Sequence, residues 1–193
     1  MRKLTICENI SLDSVIQHST DENNFPYIDW TLPYRTPEGR DLVVAAYGEK
    51  LDLLLGRHTY DEWSGLWPKS PSSPMADRIN AATKYVVTHR PDSLEWGPFE
   101  AVGPDLVEGI RRIKSQAGPD LILCGSSTLT SPLLEHGLVD EVLLVVYPVL
   151  LGTGKRFFRE GTPPRAFELL STKTTRTGVF LNHYKVVGPL KIG

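Results

Sequence analysis

Leu51-Asp52-Leu53-Leu54-Leu55-Gly56-Arg57-His58-Thr59 decides the fold. Four leucines in five positions leave no polar face, so the run suits a short strand buried on both sides. Such strands belong to parallel sheets covered by helices. Glycine ends the run, and a helix is expected to begin near Thr59. The pattern recurs in Leu121-Ile122-Leu123-Cys124-Gly125-Ser126-Ser127-Thr128. There a second apolar run ends in glycine and hydroxyl residues open another helix, over Ser126–His136. That helix carries Pro132, expected in a first turn or kink, and Gly137 closes it.

Outward from these two turns, residues 3–10 read as a first strand. Residues 17–39 form a long polar loop with Pro26, Pro33, Pro37 and four aromatic residues. Thr36-Pro37-Glu38 is a helix start, with a capping hydroxyl and proline in the first turn, and the helix runs to about Lys50. The helix from Thr59 fades by Trp67-Pro68, and the Ser/Pro-rich stretch 69–74 is a loop. Met75–Ala82 offers a helical turn or two, and Lys84–Thr88 is another β-branched strand. Gly103-Pro104-Asp105 opens a helix to about Ala117, with Leu106, Ile110 and Ile113 inward. Val139–Val149 is the longest β-prone run. The tail, Phe167–Thr175 and Gly178–Val187, reads as two strands joined at Arg176-Thr177-Gly178. Strands alternating with helices, then a run of strands, indicate one three-layer α/β domain over residues 1–193. Its central sheet is mainly parallel, with antiparallel C-terminal edge strands.

With 193 residues, 40% hydrophobic and 23% charged, the chain is long enough for one well-buried core. A net charge of −2 and the lack of a basic cluster argue against nucleic acid as a partner. No apolar stretch approaches the length of a membrane span, and nothing resembles a signal peptide, so a cytoplasmic protein is expected. Cys7 and Cys124 each lie in an apolar run and read as small buried hydrophobes; no metal-ligand spacing occurs.

The two turns carry the chemistry. A helix N-terminus offers free N–H groups and partial positive charge, which suit phosphate, and glycine lets a ligand reach the backbone. Arg57 adds a charged donor; Thr59 and Ser126–Thr128 add hydroxyls. Two such turns at the carboxyl ends of parallel strands would grip the two phosphates of a dinucleotide. Ordinary helix capping explains either turn alone equally well. Between them, Thr88-His89-Arg90 ends a strand with a hydroxyl and a guanidinium, a pair suited to a 2′-phosphate or simply to a solvated turn. The Rossmann glycine fingerprint and the Gly-x-Ser-x-Gly elbow are absent, and Gly152-Thr153-Gly154-Lys155 lacks the upstream glycine of a P-loop.

Further stretches join these: Ile10-Ser11-Leu12-Asp13, Tyr85-Val86-Val87-Thr88, Gly137-Leu138-Val139-Asp140-Glu141, and Tyr147-Pro148-Val149 through Phe158. In this order, over almost the full length, the chain resembles the dihydrofolate-reductase-like family. Within it, the chain is most similar to stand-alone proteins like the C-terminal reductase domain of the bacterial bifunctional riboflavin-biosynthesis deaminase-reductase. The resemblance implies a dihydrofolate reductase-like fold, NADPH as hydride donor and a homodimer. It implies phosphate contacts at Gly56, Arg57, His58 and Thr59, and 2′-phosphate contacts at Thr88, His89 and Arg90. It further implies pyrophosphate and nicotinamide contacts at Cys124, Gly125, Ser126, Ser127, Thr128 and Leu129, with Glu8, Asn9 and Ile16 lining the nicotinamide.

The resemblance thins where substrate is decided. Ser14 stands where the riboflavin reductases usually carry glycine, and the Asp-Pro after their Gly-Arg-x-Thr segment is missing. Asp41, near the place of the acidic residue of dihydrofolate reductases, is the expected proton donor; as a first-turn aspartate it also reads as a solvated group favoured by the helix dipole. Asp13 reads as a turn cap, or as a residue positioning substrate or the mobile loop. His18, His136 and His183 read as surface or satisfied histidines, and Trp63 and Trp67 as core. The function expected is an NADPH-dependent oxidoreductase acting on a small heterocyclic or carbonyl substrate. Two alternatives stand beside it: 5-amino-6-(5-phosphoribosylamino)uracil reductase of riboflavin biosynthesis, and a dinucleotide-binding or dimeric interaction protein without turnover.

Overall fold

The computed structural model describes residues 1–18 and 24–192; positions 19–23 of the long loop, and Gly193, lie outside the described residues. Eight strands form one sheet: β1 (Leu4–Ile10), β2 (Leu51–Gly56), β3 (Lys84–Val87), β4 (Phe99–Val102), β5 (Asp120–Cys124), β6 (Glu141–Val146), β7 (Arg165–Thr174) and β8 (Phe180–Pro189). Their order is β4-β3-β2-β5-β1-β6-β8-β7. The first six neighbours pair in parallel; β8 joins β6 antiparallel, and β7 joins β8 antiparallel. This is the mainly parallel sheet with antiparallel edge strands expected from the alternation of apolar runs and helices, and the dihydrofolate reductase-like arrangement that the resemblance implies.

Among the described residues five α-helices cover the sheet: α1 (Pro37–Ala46), α2 (Arg57–Leu66), α3 (Pro74–Ala81), α4 (Leu106–Ser115) and α5 (Ser127–Glu135). Alternate residues of each strand feed opposite faces. Leu53, Leu55, Cys7, Ile122 and Cys124 pack on one side with Tyr60 of α2, Ile79 of α3 and Leu42 and Val43 of α1. Leu4, Ile6, Leu54, Leu121 and Leu123 pack on the other with Ile110 and Ile113 of α4 and Leu133 of α5. Leu53, Leu54 and Leu55 are fully buried, as their unbroken apolar run requires.

Four boundaries differ from the expectations above. Phe99–Val102, to which the sequence pattern assigns no element, is a four-residue edge strand with Phe99 exposed. Helix α1 ends at Ala46 rather than Lys50, because Gly48 takes a left-handed conformation (φ 75°). Helix α2 begins at Arg57, directly after Gly56. Pro132 stands inside α5, not in its first turn. Among the described residues no helix is long and apolar enough to cross a membrane.

Candidate active site

The chain leaves β1 through α1 to reach β2 on one side, and leaves β5 through α5 to reach β6 on the other. Strands β1 and β5 are neighbours, and their connections leave to opposite faces of the sheet, α1 on one and α5 on the other. In an open α/β sheet the crevice at the carboxyl ends of such strands is the usual ligand site. A cavity of about 790 Å³ opens there. Its walls include the end of β1, the turn after β5, one side of α1, the start of α2 and the loop before α3.

The two glycine turns meet at this crevice. The Gly56 N–H donates to Ser126 Oγ at 2.9 Å, and Thr59 Oγ1 donates to the Gly125 carbonyl at 3.4 Å. The glycines permit the approach: a Cβ on Gly56 would stand 3.0 Å from Ser126 Oγ, and one on Gly125 3.2 Å from Thr59 Oγ1. Gly125 is exposed and has φ 65°, a conformation that costs other residues about 1–2 kcal/mol. The helix starts at this ledge also differ from the rest. Side chains of Thr36, Ser73 and Asp105 cap α1, α3 and α4, whereas no side chain caps α2 or α5. Ser127 Oγ, buried in the first turn of α5, has no hydrogen-bond partner. Two uncapped helix N-termini and an unsatisfied hydroxyl fit an anionic ligand at this ledge.

Arg57 ties the third element to the first. Its guanidinium donates to Asp61 Oδ1 (2.8 Å), to Ser93 Oγ (2.7 Å) and to the Arg90 carbonyl (3.0 Å). The Thr88-His89-Arg90 segment is thereby held beside the β2 turn, with His89 and Arg90 exposed. Arg57 is a poorer phosphate donor than the sequence suggests, because Asp61 already balances its charge. Leu129 belongs to the core on the α5 side, packed with Leu133.

Of the residues read as cofactor contacts, Glu8, Asn9, Ile16, His58, Thr59, Cys124 and Gly125 line the cavity. Ser126 and Ser127 stand behind them at the ledge, and Thr128 is exposed. Asp41 is not brought to the site. It is exposed on α1, which turns Gly39, Arg40, Val43 and Tyr47 to the cavity instead, at helical spacing.

A different carboxyl group is there. Glu8, at the end of β1, is 7% exposed and its Oε2 accepts the Gly125 N–H at 2.9 Å. Burial pushes it up to about 8, although the N–H groups of Gly125 and Asn9 pull the other way. It is therefore mostly uncharged at neutral pH. Beside it Cys7 and Cys124 are register partners across β1 and β5, both buried and free. Tyr47 Oη lies 3.4 Å from Cys124 Sγ. The hydrogen bond from Cys7 and burial push the Cys124 thiol up, and burial pushes the Tyr47 phenol up, so both stay neutral.

His18 is the histidine that departs from the surface-or-satisfied expectation. It stacks on Trp30 (4.9 Å between centroids, 11° between planes), and its buried Nε2 has no partner. Burial, aided by Arg35, brings it down to about 4. Trp63 and Trp67 pack edge to face at 5.7 Å and line the cavity as well as the core. Among the described residues no cluster of metal-ligating side chains occurs.

Known proteins share this architecture. The chain is 24% identical over 184 residues to the uncharacterized protein YyaP of Bacillus subtilis (strain 168), covering 92% of each chain. It is 27% identical to the uncharacterized protein YwjB of the same organism, covering 95% of this chain and 98% of that one. Among solved structures it superimposes on a candidate riboflavin biosynthesis protein from Shewanella sp. PV-4 with a TM-score of 0.72, at 20% identity, covering 96% and 99% of the two chains. A pyrimidine reductase-like protein from Corynebacterium diphtheriae matches with a TM-score of 0.60 at 11% identity, over 96% and 92%. The diaminohydroxyphosphoribosylaminopyrimidine deaminase/5-amino-6-(5-phosphoribosylamino)uracil reductase of Thermotoga maritima matches with a TM-score of 0.62 at 15% identity. That match covers 96% of this chain and 57% of the bifunctional protein. Residues 2–181 match the family described as the RibD C-terminal domain, and the chain belongs to that family of reductase-like domains.

Proposed function

We propose that the protein is an NADPH-dependent reductase of a small heterocyclic or carbonyl substrate held between β1 and α1. One observation carries this reading: two uncapped helix starts are joined at the β1–β5 switch point and open on a cavity of about 790 Å³. That size is ordinary for an enclosed small-molecule site. The Gly125 backbone and Thr59 would hold the pyrophosphate, with the first turn of α5 behind them, and Arg90 with Thr88 would face the 2′-phosphate. Asn9 and Ile16 would flank the nicotinamide, which supplies a hydride when the dinucleotide is bound. The protein's own part is to orient the two reactants and exclude water.

Titration with NADPH and NADH, followed by nicotinamide fluorescence, tests the reading. NADPH is expected to bind more tightly, and Arg90→Ala to bring its affinity toward that of NADH. A charge-assisted contact worth about 1.5–3 kcal/mol corresponds to roughly 10- to 150-fold. Absence of binding by either dinucleotide sinks the reading; equal affinities sink the assignment of Arg90.

Reduction of a ribosylaminopyrimidine phosphate is the second reading. Arg35, Arg40 and Lys155 line the cavity, and such cations suit a substrate phosphate. Turnover of that compound class, with a higher KM in Arg40→Ala, supports it; turnover confined to uncharged heterocycles removes it. We also infer a homodimer and a cytoplasmic location, in keeping with a small-molecule reductase.

A further inference from the structure

We propose that Glu8 is the acid that supplies the proton of the reduction. The inference rests on the NADPH reading above and names the group that reading lacks once Asp41 is found on the outer side of α1. Glu8 lines the cavity where β1 ends and the β5 turn begins; strand alternation puts its side chain on the α5 side with Ile6 and Ile10, and it meets the cavity at the gap between β1 and β5, where the nicotinamide would lie. Its Oε2 is pinned by the Gly125 N–H, so the carboxyl group is oriented by the same glycine that shapes the ledge.

The surroundings hold a neutral acid. On its own strand Glu8 is flanked by Cys7 and Asn9; across β5 stand Cys124 and Gly125; on β6 its register partner is Leu144. From the end of α1, the Tyr47 hydroxyl lies against Cys124 and Cys7. Charged and titratable groups line the cavity further out: Arg40 on α1, His58 and Glu62 on α2, and His18, Arg35 and Lys155 on the loops. Burial keeps the Glu8 proton on at neutral pH, against the pull of the Gly125 and Asn9 N–H groups.

A neutral acid here is coupled to the redox state of the dinucleotide. Oxidised nicotinamide carries a positive charge that reduced nicotinamide lacks. Glu8 beside it becomes a stronger acid when that charge forms, because an opposite charge nearby favours the carboxylate. The step balances. The acceptor's electrophilic carbon gains a C–H bond with the hydride pair, and its π bond opens onto the heteroatom. The Glu8 O–H bond breaks, a proton joins that heteroatom, and the Glu8 carboxylate counters the new positive charge. Water returns the proton to Glu8 as the oxidised dinucleotide leaves.

No substrate is needed to test this. Protons released when NADP⁺ and NADPH bind at pH 7 can be counted with an indicator dye in weak buffer, or by calorimetry in two buffers of different ionisation enthalpy. Wild-type protein is expected to release most of a proton with NADP⁺ and little with NADPH. Its affinity for NADP⁺ relative to NADPH should then climb from pH 6 to 9, approaching ~10-fold per unit at the steepest point. Glu8→Gln, which keeps an oxygen for the Gly125 N–H, should bind both forms with no release and a flat ratio. Release lost in Glu8→Gln and kept in His58→Gln assigns the proton to Glu8. Equal release with both dinucleotides in wild type, or release kept in Glu8→Gln, overturns the inference and leaves the NADPH reading standing. Failure of wild type to bind either dinucleotide overturns both. The wild-type comparison alone decides the case if Glu8→Gln does not fold.

Discussion

Asp13 shows how much one side chain past the end of β1 can organise. It accepts hydrogen bonds from Ser11 Oγ (2.6 Å), the Leu151 N–H (3.1 Å) and the Gly152 N–H (2.9 Å), while Arg156 Nη1 donates to its carbonyl at 2.6 Å. The Ile16 N–H then reaches the Lys155 carbonyl at 2.8 Å, which fixes Ile16 at the cavity wall. Partial burial pushes the Asp13 carboxyl up, but the hydrogen bonds outweigh it and bring it down to about 2. Asp13 is therefore the loop-positioning residue of the two sequence alternatives. Asp13→Ala leaves two backbone donors without partners. It is expected to lower the unfolding free energy by about 1–3 kcal/mol in urea titrations, with Asp13→Asn falling between it and wild type. An unchanged midpoint in Asp13→Ala would show that the loop does not need this anchor. Asp13 was legible as a turn residue because its neighbours in sequence define the turn. Glu8 was legible as a position along a strand and, through the resemblance, as a nicotinamide contact, but not as a buried acid. Its burial and its bond to Gly125 depend on a strand 117 residues away. The same separation hides the pairing of Cys7 with Cys124.

At the scale of elements, β2 and β5 were readable because each is an unbroken apolar run stopped by glycine, a pattern with few other structural solutions. Strand β4 was not, because a short edge strand needs no apolar continuity and its pairing with β3 is a tertiary fact. Misplacing Asp41 has a similar cause. Proximity to a helix start says nothing about which side of α1 faces the cavity, and α1 has no fully buried residue to mark its inner side clearly. The β7–β8 hairpin was readable as antiparallel strands, yet its surface carries more information than its pairing. Leu169, Leu170, Phe180 and Val187 are between 46% and 61% exposed on it, and β7 is an edge strand. Exposed apolar side chains along an open edge are a liability that a second copy of the chain would cover. Light scattering at micromolar concentration is expected to give twice the chain mass. The double substitution L169K/L170K should give the chain mass with an unchanged circular dichroism spectrum. A monomeric wild type would remove the dimer inferred above.

Across the whole molecule, Glu8, His18 and Lys84 pull stability in different directions as pH changes. Glu8 has its folded value raised from 4.5 to about 8, so the native state holds the extra proton between those values. Its contribution is fully present below 4.5 and is lost as pH rises through 8. His18 is lowered from 6.5 to about 4, so the unfolded chain holds the extra proton there and stability rises with pH over that interval. Lys84 is fully buried, with Nζ bonded to the Asn80 carbonyl at 2.6 Å and lying over the Trp96 ring at 4.3 Å. Burial brings it down from 10.5 to about 8, so stability again rises with pH between those two values. Glu8 and His18 oppose each other between pH 4.5 and 6.5. Above 6.5 Glu8 acts alone, and just above 8 Lys84 takes over, until the raised Cys124 thiol and Tyr47 phenol lower stability again from about 9 upward. The ligand-free protein is therefore expected to show a local stability minimum near pH 8, seen as a dip in the urea midpoint measured from pH 5 to 10. Each limb belongs to one residue: Glu8→Gln should flatten the fall below pH 8, and Lys84→Met the rise above it. A midpoint that changes monotonically through pH 8 in wild type would contradict both assignments. A dip that survives Glu8→Gln would show that the acid at the end of β1 is already ionised in the folded chain.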